Sequence, residues 1–137
     1  MNYLIILISI LFFSLNTQAQ TQDSLQLNNQ RITDALLEKA VLYLDLQTEQ
    51  YPGFQEALYT HLEQARLYIV QHGTDTSLVT NYLEQQWPAL LSEALRPVLS
   101  AEQIHRLSER IHIQRERRDI DQRRGYLHKP QEYLFFF

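Results

Sequence analysis

Phe54-Gln-Glu-Ala-Leu58-Tyr-Thr-His-Leu62-Glu-Gln-Ala65-Arg-Leu-Tyr-Ile69 puts apolar side chains at positions 54, 58, 62, 65 and 69. Steps of three and four bring these residues onto one stripe of an α-helix, which turns once every ~3.6 residues. A strand would need alternation, and this stretch has none. Ala57, Tyr68 and His72 flank the stripe, and the pattern stops at His72-Gly73.

The same period extends to both sides. Upstream, Ile32, Leu36, Leu37, Ala40, Val41 and Leu44 recur at three and four, and Tyr51-Pro52-Gly53 reads as the turn that ends that helix. Downstream, Thr74-Asp75-Thr76 offers caps for a third run, whose Leu78, Tyr82, Leu83, Trp87, Leu90, Leu91, Ala94 and Leu95 share a broad face. Pro88 falls inside this run and has no backbone N–H, so the third helix is expected to kink or split there. Ser100-Ala-Glu-Gln103 has the spacing of a capping box and opens a fourth helix from Ala101 to about Arg124, with Ile104, Leu107 and Ile111 inward. The chain has three glycines, Gly53, Gly73 and Gly125, and each is read as a helix end. Similar lengths and short connections predict an all-α, up-down-up-down four-helix bundle. Its expected core contains Leu36, Leu58, Leu62, Ile69, Leu83, Leu91, Leu107 and Ile111.

The two ends of the chain read differently. Tyr3 to Leu15 is apolar except for Ser9 and Ser14, and Asn16-Thr17-Gln18-Ala19 follows. A greasy run of this length followed by small residues is the pattern of a secretory leader, and is shorter than the ~20 residues of a bilayer span. Residues 1–19 are thus expected to be a signal peptide cut after Ala19, residues 20–125 the bundle domain, and residues 126–137 an aromatic tail. The protein is expected to be exported, periplasmic or secreted, with no stable membrane span after cleavage. With no cysteine in the chain, disulfides, zinc ribbons and thiol chemistry are excluded.

The net charge of −4 is unevenly spread: residues 1–95 hold three basic and ten acidic side chains, residues 96–137 nine and six. Arg115, Arg117, Arg118, Arg123 and Arg124 are interrupted by Glu116, Asp119 and Asp121. Helical i,i+4 pairs such as Arg115–Asp119, Arg117–Asp121 and Asp119–Arg123 account for that mixture better than a phosphate backbone, so no nucleic-acid partner is expected.

Glu102, His105, Glu109, His112 and Glu116 form a stripe opposite Ile104, Leu107 and Ile111. If this stripe held a metal, His105, Glu109 and His112 would be its ligands. Metal sites in bundles draw Glu-x-x-His from two facing helices, whereas both copies here lie on one helix and point outward. The expectation is a solvated face, no metal and no cofactor. His61 and His72 border an apolar stripe and are expected to be half-buried and hydrogen-bonded. No serine is framed by glycines and no glycine loop can cradle a phosphate, so the chain is not expected to be an enzyme.

Tyr133-Leu-Phe-Phe-Phe137 is five apolar residues in a row, each aromatic worth ~2 kcal/mol when buried. Lys129-Pro130 cannot continue the fourth helix into them, so they must bury separately, on the bundle or on a protein partner. The expected partner surface is Arg123, Arg124, Tyr126, Tyr133, Leu134, Phe135, Phe136 and Phe137.

Leu99-Ser-Ala-Glu-Gln103 resembles the Leu-Thr-x-x-Gln motif of the Spy/CpxP-type periplasmic helical proteins, with Ser for Thr and one copy in place of the usual two. The resemblance implies a chaperone-like or metal-responsive envelope-stress protein. The residues themselves favour an exported, non-enzymatic helical binding protein of the cell envelope, with that role as the alternative.

Overall fold

The computed structural model describes residues 29–137, which are all-helical apart from turns and the tail, with no strand among the described residues. The expected leader, residues 1–19, lies outside them. Helix α1 covers residues 29–43, α2 Tyr51–His72, α3 Thr76–Asn81, α4 Trp87–Leu95 and α5 Ala101–Arg123. A π-helical turn, Tyr82–Gln86, joins α3 to α4, so the described residues form four rods.

The apolar stripes meet in one core. Ile32, Leu36, Ala40 and Leu44 come from α1 and its end, Phe54, Leu58, Leu62 and Ala65 from α2, and Leu107 from α5. Of the expected core, Leu36, Leu58, Leu62, Leu83, Leu91 and Leu107 are fully buried, while Ile69 and Ile111 pack only partly buried at its margin. Trp87 fills the centre at 1 % exposure, its indole N–H donating to the His61 carbonyl at 2.8 Å. Tyr68 stacks on Tyr82 with ring centroids 3.8 Å apart.

The first turn differs from its sequence reading. α1 ends before Asp45, whose positive φ of 54° turns the chain aside, and Tyr51, Pro52 and Gly53 open α2 instead of closing α1. Proline fits there because amides of a helix's first turn have no acceptor within the helix. Gly53 sits close under Val98, where a Cβ would lie 3.1 Å from Cγ2 and press that side chain aside. Gly73 follows α2 with an ordinary φ of −60°. Gly125 does take the left-handed conformation, at φ +88°.

The split at Pro88 takes a specific form. A helical residue 88 would donate its amide to the carbonyl of Glu84, and proline has none to give. Just upstream the ladder widens: the amide of Trp87 reaches back five residues to the Tyr82 carbonyl. The Glu84 carbonyl accepts instead from Nη2 of Arg115 on α5, at 2.6 Å. The wide turn also rotates the buried face. Val79, Tyr82, Leu83, Trp87, Leu91 and Leu95 are buried, whereas Leu78 and Leu90, expected inward at a regular 3.6-residue period, are exposed.

Asp75 caps α3, its carboxylate accepting from the Leu78 amide at 3.0 Å. Ser100 and Gln103 form the capping box of α5, and Gln103 does more. Its amide pairs reciprocally with that of Gln50, at 2.7 and 3.0 Å, and its Nε2 also donates to the Leu44 carbonyl at 3.2 Å. Gln50 in turn donates to the Val98 carbonyl at 2.9 Å. One glutamine pair thus closes the polar end of the core where the connection after α1, the start of α2 and the start of α5 converge.

Candidate interaction surface

α5 ends by a glycine closure that aims the rest of the chain. The amide of Gly125 donates to the Gln122 carbonyl at 3.0 Å and that of Tyr126 to the Asp121 carbonyl at 2.9 Å, the paired bonds of a Schellman motif. The chain then turns back through Tyr126–Lys129 into a short 3₁₀ turn, Pro130–Leu134. One carboxylate organises this return. Glu132 accepts from the Lys129 amide at 2.6 Å and the Tyr126 hydroxyl at 2.9 Å. The Lys129 amide first, and then the Tyr126 hydroxyl, hold the Glu132 carboxyl below the usual carboxylate range, while the same bond pushes the Tyr126 phenol up.

The tail residues fall into two sets. Tyr133, Leu134, Phe136 and Phe137 are buried in the common core. The Phe136 ring lies 6.0 Å from Trp87, and Phe137 stacks on Tyr43 of α1 at 5.9 Å. The Arg110 guanidinium sits 4.0 Å from the centre of that same Tyr43 ring. Phe135, between the two buried pairs, remains 38 % exposed. Arg123, Arg124 and Tyr126 are exposed, and Leu127, absent from the expected partner surface, is the most exposed large apolar residue among the described residues at 83 %. Ile120, one turn earlier on α5, is exposed as well. The end of α5 and the start of the tail therefore present apolar and basic side chains to solvent together.

The arginine cluster is built otherwise than by helical pairing. Arg115 serves the Glu84 carbonyl. Arg118, only 6 % exposed, lies with its guanidinium 4.8 Å from the Tyr133 ring centre and its Nε 3.9 Å from the Glu84 carboxylate. Burial lowers the Arg118 pKa, and Glu84 opposes that shift. Asp121 faces His128 in place of Arg117, and Arg123 meets the Asp119 carbonyl at 3.3 Å where a carboxylate was expected. Among the described residues, Nε of Arg110, Arg115 and Arg118 and Oε1 of Glu84 are buried without a hydrogen bond. Charge and ring contacts hold this layer in place of a closed hydrogen-bond network. Burial also raises the Tyr133 phenol, with the Glu84 charge adding to it, although Gln122 donates to its hydroxyl at 3.3 Å.

On the outer face of α5, His105 pairs with Glu109 at 3.3 Å and His112 with Glu116 at 3.2 Å, all four well exposed. Glu102 takes Arg106 at 2.6 Å. Among the described residues no three His, Cys, Asp or Glu side chains gather as a metal shell. His61 is half-buried and its Nδ1 lies 2.8 Å from the Ala57 carbonyl; His72 packs on the Tyr68 ring at 4.5 Å.

The residues of the Leu-Ser-Ala-Glu-Gln resemblance have internal work here, with Leu99 in the core, Ser100 as a cap and Gln103 in the amide pair. No helix among the described residues is long and apolar enough to cross a membrane. Comparisons with family models, curated proteins and solved structures find no match to this chain.

Proposed function

We propose that this chain is an exported, non-enzymatic binding protein of the cell envelope, an up-down-up-down helical bundle that docks a protein partner through the end of α5 and the aromatic tail. The observation that carries the reading is the exposure of Leu127 and Tyr126 directly after Arg123 and Arg124. Apolar side chains left in water beside guanidinium groups are the composition of an interface. The proposed surface also takes in Phe135, 38 % exposed, whereas Tyr133, Leu134, Phe136 and Phe137 of the tail are buried in the core. The pairings Gly53–Val98, His61–Trp87 and Tyr68–Tyr82 support the antiparallel order of α2 and the α3–α4 rod. The leader-like residues 1–19 support export.

Capture from envelope extract tests the docking. The native chain should retain a partner that an Arg123→Glu/Arg124→Glu/Leu127→Ala variant loses, and the variant's melting temperature should match the native one because all three side chains are exposed. Equal capture by both would overturn the reading. Export is tested by mass spectrometry of the envelope fraction, where the chain should begin at Gln20.

A further inference from the structure

Between α5 and the tail, the side chain of His128 is 13 % exposed and meets a carboxylate at each ring nitrogen. Nε2 lies 3.1 Å from Oδ2 of Asp121 on α5, and Nδ1 lies 3.1 Å from Oε2 of Glu132 in the 3₁₀ turn. Tyr126 packs edge-on at 4.8 Å and Tyr133 at 6.2 Å. Beyond Tyr133 stand the Arg118 guanidinium and the Glu84 carboxylate; Lys129, next along the chain, is exposed and gives its amide to Glu132.

A neutral imidazole carries one N–H, so it satisfies one carboxylate and turns a lone pair toward the other. The imidazolium donates to both, and a bond between charged partners is about twice as strong as a neutral one. We propose that His128 is a proton-controlled latch: charged, it ties the turn before the tail to α5 through Glu132 and Asp121; neutral, it releases one carboxylate and loosens the turn that lies between the exposed Arg123–Leu127 surface and the tail. This rests on the docking reading of the tail and adds its regulation.

Hydrogen exchange of the full chain tests the latch, with each amide rate divided by its intrinsic rate at the same pH. The Lys129 and Glu132 amides, both bonded within the turn, read its opening. Their protection should fall about tenfold between pH ~5.5 and ~8, the cost of one bond to a charged group. His128→Gln should be weakly protected and flat with pH. Asp121→Asn, which leaves the turn's own bonds intact, should also flatten the profile. A flat native profile, or a pH dependence that either variant retains, overturns the latch. Partner capture on the same preparations separates the two readings. Capture that Arg123→Glu/Arg124→Glu/Leu127→Ala abolishes, alongside flat exchange, sinks the latch and leaves the docking. Exchange that responds to pH and to both variants, alongside capture indifferent to that surface, sinks the docking and leaves the latch.

Discussion

Gln103 combines three roles in one side chain: it completes the α5 cap, pairs with Gln50 and satisfies the carbonyl at the end of α1. Removing its amide leaves partners buried and unpaired, which costs more than the bonds themselves return. Gln103→Leu should therefore lower stability by about 2–4 kcal/mol, whereas Ser100→Ala, which loses a cap alone, should cost about 1 kcal/mol. Urea midpoints of the two variants measure this, and equal losses would show that the amide pair contributes nothing. Tyr133 supplies a second test. Its phenol and that of Tyr82 are raised above the ordinary 10.0, chiefly by burial. The unfolded chain ionises these groups first, so their contribution is full below pH ~10 and is lost as the pH rises through the folded-state values. Between pH ~9 and ~11 the native protein should lose stability more steeply than Tyr133→Phe, which has one fewer such group. Parallel slopes would mean that the Tyr133 hydroxyl is not held from water.

A proline and an arginine on different helices settle the form of the third rod. Pro88 leaves the Glu84 carbonyl without its helical donor, and Arg115 of α5 supplies one at 2.6 Å. The proline thereby creates a tether between the π-helical turn and α5 as well as a break. Arg115→Met should cost about 1–2 kcal/mol in the native chain. In a Pro88→Ala background, where residue 88 regains an amide, the same change should cost less than half as much. A double-mutant cycle by chemical denaturation isolates that coupling from the packing that Pro88→Ala also alters, and additive losses would dissolve the tether. On α2, Leu62 sits on the regular stripe at zero exposure, so Leu62→Ala should cost about 2–5 kcal/mol. A melting temperature untouched by that change would mean α2 is not packed as described.

For the molecule as a whole, the tail is a piece of the core that arrives last in sequence. Deleting residues 131–137 strips Tyr133, Leu134, Phe136 and Phe137 from the core and uncovers the Trp87 and Tyr43 rings. At ~2 kcal/mol for each buried side chain, less the burial that an unfolded chain already retains, stability should fall by about 4–6 kcal/mol. A truncated chain with an unchanged urea midpoint would show that the tail rests on the bundle without holding it. The proposed latch works against this large apolar term, so the pH is expected to modulate the opening of the turn and leave global unfolding nearly unchanged at neutral pH.

The local sequence determined that the described residues are helical: periodicity put Leu36, Leu58, Leu62, Leu83, Leu91 and Leu107 in the core, the Ser-x-x-Gln spacing placed the cap of α5 at Ser100, and the missing amide of Pro88 placed the break near it. These are properties of a residue and neighbours within about one turn, where 3.6-residue geometry and missing amides act directly. Leu78 and Leu90 were misread because a π-helical turn adds a residue to the repeat, and its carbonyl is satisfied by an arginine 31 positions away. Gly53 looked like a helix end because the turn signal Pro-Gly says nothing of Val98, which approaches from a distant connection. The surface legible in the sequence was the tail's aromatic content together with Arg123 and Arg124. That Phe136 and Phe137 bury against Trp87 and Tyr43, that Leu127 stays in water, and that His128 lies between Asp121 and Glu132 were decided only when the chain doubled back on α5. Contacts made by a chain reversing on itself depend on where its ends meet in space, which no local period encodes.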